Sequence, residues 1–145
     1  MILVDTNLLV YSMVSTMPEH AATKAWLDGR LNGTAFVGMP WPSLLGFLRV
    51  VCNPAIFPKA KDLPTAWSQV ESWLNHPVVR VPMPTDRHRS VLAALMPWAK
   101  ARPNLVHDAH LAALAIEHGL TLCSADGDFA RFPGLRWENP LAPKA

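Results

Sequence analysis

Short, mostly apolar runs recur at residues 1–4, 35–38, 78–81 and 120–123. Runs of this length with little polar alternation read as strands covered on both faces. Residues 135–137 predict a further short edge strand. The longer segments between them carry helical spacing. Leu8-Leu9-Val10-Tyr11 predicts a short helix after the polar start Asp5-Thr6-Asn7. Residues 18–31 place Ala22, Ala25, Trp26 and Gly29 on one face, with Pro18 near the first turn and Asn32-Gly33 as a stop. In 43–52, Leu44, Leu45, Leu48 and Val51 favour a helix that begins near Pro42 and stops at Asn53-Pro54. Further helices are predicted from 64 to 75, from a cap at Asp86 through Val91, Leu92, Leu95 and Met96 to Pro97, and from 105 to 118 between Asn104 and Gly119. Helices alternating with buried strands predict one α/β domain, a largely parallel sheet covered on both faces. No internal repeat is visible, and the Pro-containing tail after Asn139 is expected to be loosely ordered.

Composition narrows this picture. A chain of 145 residues, 50% hydrophobic and 17% charged, buries one substantial core and is neither disordered nor a polycationic nucleic-acid coat. A net charge of +2 requires any nucleic-acid contact to come from a local basic patch. Cys52 and Cys123 lack metal-ligand spacing and read as free thiols of a reducing compartment. Asp5 interrupts the first apolar run, so no secretory signal is visible. No stretch approaches the ~18–20 apolar residues that span a bilayer. The expectation is a soluble, cytoplasmic protein with no membrane partner.

The chemistry lies in four acids. Asp5 follows the first apolar run, and Asp126 and Asp128 follow the 120–123 run. Asp108 shares a helix face with Leu111, Ala112 and Ala115. Singly, Asp5 also reads as a helix N-cap and Asp126-Gly127-Asp128 as a turn. Asp108 is harder to explain, because an unpaired buried carboxylate costs several kcal/mol and a helix dipole returns only about 0.3–1. In an open α/β sheet the crevice beyond the strand C-termini gathers such groups. Carboxylates ~5 Å apart repel by roughly 3 kcal/mol per pair at an effective dielectric of ~20. A cluster of them calls for a cation, and oxygen-only ligands point to Mg²⁺, with Mn²⁺ possible, and not to zinc. His107 and His110 flank Asp108 but lie off its helix face and are expected at surface or RNA-facing positions.

The segments MILVDTNLLVY, PWPSLLGFLRVVCNP, NLVHDAHLAALAIEHG and LCSADGDFARFPGLRW occur in the order of a known family and span nearly the whole chain. The sequence resembles a PIN-domain ribonuclease, specifically a VapC-type toxin of a type II toxin–antitoxin pair. The resemblance implies a PIN-like α/β/α sandwich with a central, mostly parallel sheet of four to five strands. It also implies a homodimer with magnesium-dependent endoribonuclease activity, neutralised by a cognate antitoxin. It assigns Asp5, Asp108 and Asp126 to the metal, adds Asp128 as a further catalytic acid, and gives Thr6, Asn7 and Ser124 accessory roles around them.

One position departs from the pattern: Gly46 stands where the family usually has a glutamate, and no acid occurs between Asp28 and Asp62. The missing side chain is expected to leave room for a water in the metal's shell. Arg49, Lys59 and Lys61 are candidate contacts to RNA phosphates. The six tryptophans offer stacking surfaces or packing, and the Trp26 helix with the 43–52 helix is expected to border an apolar groove for an antitoxin segment. The alternative keeps the fold and loses the chemistry, giving a PIN-like module that binds RNA or antitoxin and cleaves weakly. A phosphotransfer protein using Asp5 as nucleophile is disfavoured, because Asn7 stands where a second aspartate belongs.

Overall fold

The computed structural model describes residues 1–143. Five strands form one sheet in the order β3-β2-β1-β4-β5: β1 (Ile2–Val4), β2 (Val37–Gly38), β3 (Val79–Arg80), β4 (Thr121–Cys123) and β5 (Trp137–Glu138). Every pairing is parallel. Six α-helices cover the sheet: α1 (Thr6–Met13), α2 (His20–Leu31), α3 (Trp41–Val51), α4 (Leu63–Leu74), α5 (His88–Leu95) and α6 (Leu105–His118). The α/β/α architecture read from the sequence is therefore observed, with strands shorter than the apolar runs that announced them.

Alternation along β1 builds two cores. Ile2 and Val4 pack with α1 to α4, whereas Leu3 turns to the opposite layer of α5, α6, Leu122 and Phe129. Phe47 of α3 is fully buried and meets Trp73 of α4 edge to face, with ring centroids 4.8 Å apart. Gly119 adopts φ +65° at the end of α6, a conformation open to glycine at no steric cost, and delivers the chain directly into β4.

Three local expectations need correcting. The inward face of α2 is Thr23, Leu27 and Leu31, while Ala22, Ala25 and Gly29 are exposed and Trp26 is half-buried. Spacing i, i+4, i+8 identifies the true stripe, and small residues on the outer face masked it. Asp86 does not cap α5. That helix starts at Arg87 without a side-chain cap, and the Thr85 hydroxyl accepts from the Arg87 N–H instead. Asn104 sits at the N-cap of α6 but makes no capping bond. Both cysteines are free as expected, although only Cys123 is buried; burial pushes its thiol up to about 12, which leaves it inert. Past β5, residues 139–142 form a turn held by the Asn139 side chain and carbonyl, with Leu141 resting on the first core.

Candidate metal centre

The order in which strands are added reverses at β1: β2 and β3 lie on one side of it, β4 and β5 on the other. A crevice opens beyond the C-termini of strands at such a switch point. Val4 is in register with Cys123, and the Asp5 N–H bonds the Cys123 carbonyl at 3.0 Å, so Asp5 and Ser124 leave the sheet side by side. Asp5 is the N-cap of α1, accepting from the Thr6 N–H at 2.8 Å through Oδ1. Its other oxygen accepts from the buried Ser124 hydroxyl at 2.7 Å. Asn7 donates to that hydroxyl at 3.1 Å, and Ser124 Oγ in turn accepts from the Asp126 N–H at 3.0 Å. Thus the capping role and a role in the cluster coexist in Asp5, and Asn7 and Ser124 fix its orientation.

Asp108, in the first turn of α6, brings its carboxylate to the same crevice. Ligand oxygens of Asp108, Asp126 and Asp128 lie within 4.8 Å of one another. Among the described residues no donor meets the Asp108 carboxylate. Burial, followed by the charges of Asp5, Asp126 and Asp128, raises its pKa to about 6 against an opposing pull from Arg102. Asp5 is raised as well, chiefly by burial, although its two hydrogen bonds pull the other way. Asp128 is lowered by hydrogen bonds and charge from Arg131 and Arg102. The donor set is all carboxylate, mutually repulsive and in part unsatisfied. It fits a hard divalent cation.

The sign of the Asp108 shift yields a prediction. Between the unfolded value of 3.8 and about 6 the folded, metal-free protein holds more proton than the unfolded chain, so this group's contribution to stability falls as pH rises through that window. Two pK units correspond to at most ~3 kcal/mol, reduced to about 1–2 by the half-exposure of the group. Thermal melts in chelator are expected to show Asp108→Asn more stable than wild type by roughly 2–8 °C at pH 7.5, with the gap closing towards pH 4. A gap independent of pH would refute the assignment.

A PIN-domain family model matches residues 2–135. Ribonuclease VapC37 of Mycobacterium tuberculosis is 42% identical over 140 residues, covering 97% of both chains. This chain is a PIN-domain protein of the VapC type. Ribonuclease VapC33 of the same species is 36% identical over 143 residues, covering 97% of this chain and 99% of the relative. The fold also matches the crystal structure of VapBC2 from Rickettsia felis bound to a promoter DNA fragment, with a TM-score of 0.69 at 19% identity over 96% of this chain and 98% of that one.

Within this PIN domain the missing glutamate has a physical counterpart. A Cβ placed on Gly46 meets Thr6 Oγ1 at 2.4 Å and Thr6 Cγ2 at 3.0 Å. The Thr6 hydroxyl donates across the helix pair to the Ser43 carbonyl at 3.1 Å. The space expected to admit a water is filled by threonine, which corrects the reading of Gly46 as a vacancy. The Thr6 side chain packs α1 against α3 there, and it is the backbone N–H of Thr6, not its hydroxyl, that reaches the Asp5 carboxylate.

The basic candidates lie elsewhere. Lys59 and Lys61 line a cleft of about 520 Å³ with Met13, Val14, Val51 and Phe57. Met13 is eight residues along α1 from Asp5, or ~12 Å at 1.5 Å per residue. Arg49 is exposed in the last turn of α3. That cleft is bordered by the C-terminus of α1, the end of α3 and the α3–α4 connection, and α2 lines a separate cleft with α1 and α4.

Sequence reasoning missed three groups. Trp137 donates its indole N–H to the Ser124 carbonyl at 3.1 Å, bracing the centre from β5. Arg102 and Arg131 both pair with Asp128. Glu117, buried near the end of α6, accepts from the Thr85 N–H at 2.9 Å, from its hydroxyl at 2.6 Å and from His88 Nδ1 at 2.5 Å. His88 then meets His110 at 3.1 Å. This chain ties α6 to α5, so His110 packs inside the layer while His107 is exposed. Only the long-range partners reveal these roles. A glutamate at a helix end or an isolated arginine carries no such signal.

Proposed function

We propose that this PIN domain is the toxin of a toxin–antitoxin pair and hydrolyses RNA phosphodiester bonds with Mg²⁺ or Mn²⁺. One observation carries the reading: at the sheet's switch point half-buried Asp108, with no donor among the described residues, has its oxygen within 4.8 Å of those of Asp126 and Asp128, and the charge of Asp5 acts on it as well. Asp5, Asp108 and Asp126 would hold the ion. When bound, it would polarise the scissile phosphate and lower the pKa of an attacking water. Asp108 is the acid suited to take a proton from that water, because two arginines hold Asp128 well below the usual carboxylate range. Asn7, Ser124 and Trp137 keep Asp5 in place, so little reorganisation accompanies the reaction. Arg49, Lys59 and Lys61 are assigned to RNA outside the centre.

Relatives named as VapC ribonucleases and a VapBC neighbour support the antitoxin partnership. The cleft lined by Met13, Val14, Val51 and Phe57 suits an apolar antitoxin segment, and a homodimer is part of the same proposal. No helix among the described residues is long and apolar enough to cross a membrane, consistent with a cytoplasmic site of action.

The second reading, a weakly cleaving module, is favoured by the filled space at Gly46, which removes one acid from the centre. Incubating purified protein with a labelled single-stranded RNA separates the two. Cleavage with magnesium, abolished by chelator and restored by manganese, is the expected result. Intact RNA at every metal concentration would favour the binding module.

A further inference from the structure

Asp128 has an oxygen within 4.8 Å of those of Asp108 and Asp126 but differs from both in its partners. Its Oδ1 accepts from Arg131 Nη2 at 3.0 Å, and its Oδ2 is paired with Arg102 Nη2. Arg131 also donates from Nε to the Asp128 backbone carbonyl at 3.2 Å, within the turn Gly127–Arg131. A carboxylate whose two oxygens are both engaged by guanidinium groups has few lone pairs left to offer a cation. Asp108, by contrast, has no donor among the described residues. Arg102 is half exposed. Of its five N–H donors one is engaged among the described residues, and the half-exposed fork leaves others towards solvent. Its partner Asp128 lies within 4.8 Å of Asp108 and Asp126, which places the guanidinium at the mouth of the acidic crevice.

An RNA strand approaching four carboxylates is repelled unless positive charge stands beside them. Planar guanidinium forks bind phosphate oxygens in pairs, and a fork already fixed by a carboxylate loses less freedom in doing so. Resting on the ribonuclease reading above, we infer that Asp128 is a positioning residue: it holds Arg102 and Arg131 as a clamp for an RNA phosphate next to the cleavage centre and does not ligate the metal. The four acids then divide by task, with Asp5, Asp108 and Asp126 serving the ion and Asp128 serving the substrate.

Two measurements on the full chain test this. First, Mn²⁺ binding is followed by calorimetry without RNA. Asp126→Asn is expected to weaken it by at least tenfold, and Asp128→Asn by less than about threefold. A tenfold loss in Asp128→Asn overturns the inference. Second, binding of a fluorescent single-stranded oligouridylate is followed in chelator across a salt series, so no cleavage occurs. Arg102→Gln is expected to weaken binding severalfold at low salt and to flatten the log–log salt slope by ~0.7, the share of one phosphate contact on a single strand. Arg102→Lys should keep the slope because it keeps the charge. Lys24→Gln, an exposed charge on α2, should change neither slope nor affinity. An Arg102→Gln slope equal to that of the wild type overturns the clamp alone. Failure of the wild type to bind the oligonucleotide in chelator also overturns the clamp, whereas the ribonuclease reading falls separately, on RNA left intact at every metal concentration.

Discussion

Asp108→Asn is expected to slow RNA cleavage by on the order of 10²- to 10⁴-fold while making the metal-free fold more stable at neutral pH. The two effects share one origin. Asparagine removes a half-buried charge that has no donor and three acidic neighbours, so repulsion and desolvation both fall. The same charge is what the ion and the attacking water's proton require. Asp5→Asn is expected to lose activity comparably without the gain in stability, because one Asp5 oxygen accepts from the buried Ser124 hydroxyl. Asparagine still caps α1, but its amide nitrogen cannot accept that bond. The double variant should be little slower than either single one, since groups acting as a unit are not additive. Cleavage rates of the three proteins at saturating magnesium, with melting curves in chelator, provide the check. An Asp108→Asn protein within tenfold of wild-type activity would remove this residue from the centre.

The second large effect concerns Gly46. Alanine in a helix is ordinarily better than glycine by ~1 kcal/mol, yet Gly46→Ala is expected to destabilise. Its Cβ overlaps a threonine that is branched at Cβ and hydrogen-bonded in place. Overpacking of this kind costs roughly 1–3 kcal/mol. Gly46→Glu, the change that restores the usual family residue, should be worse, because it adds a fifth carboxylate to an unfilled cluster. Removing the obstacle reverses the outcome. In Thr6→Ala/Gly46→Ala the nearest remaining side-chain atom among these contacts is the Thr6 position's own Cβ at 3.3 Å, so the pair should be more stable than the sum of its single variants predicts. A coupling of roughly 1–3 kcal/mol is expected from denaturant midpoints. Thr6→Ala/Gly46→Glu should bind manganese more tightly than wild type. Equal or greater stability in Gly46→Ala alone would show that Thr6 yields freely.

Much of this design is legible in the primary structure. Five short runs became five strands, and Gly119 marks the end of α6, because continuous apolar stretches and a left-handed glycine act locally. Asp5 and Asp126 could be anticipated as neighbours because strand ends converge in a parallel sheet. The inward stripe of α2 was misread because alanines on its outer face imitate a buried one. The partnership of Thr6 with Gly46 spans forty positions, and that of Arg102 with Asp128 spans twenty-six. No local pattern encodes either. What looked like a gap in the family signature is one half of a complementary pair.

The bond from Ser124 to Asp5 joins positions 119 apart. A polypeptide emerging from the ribosome therefore carries Asp5 and even Asp108 long before anything can hold them together. Until β4 has been synthesised and has paired beside β1, nothing joins Asp5 to Ser124. The order of translation itself puts assembly of this centre near the end of synthesis.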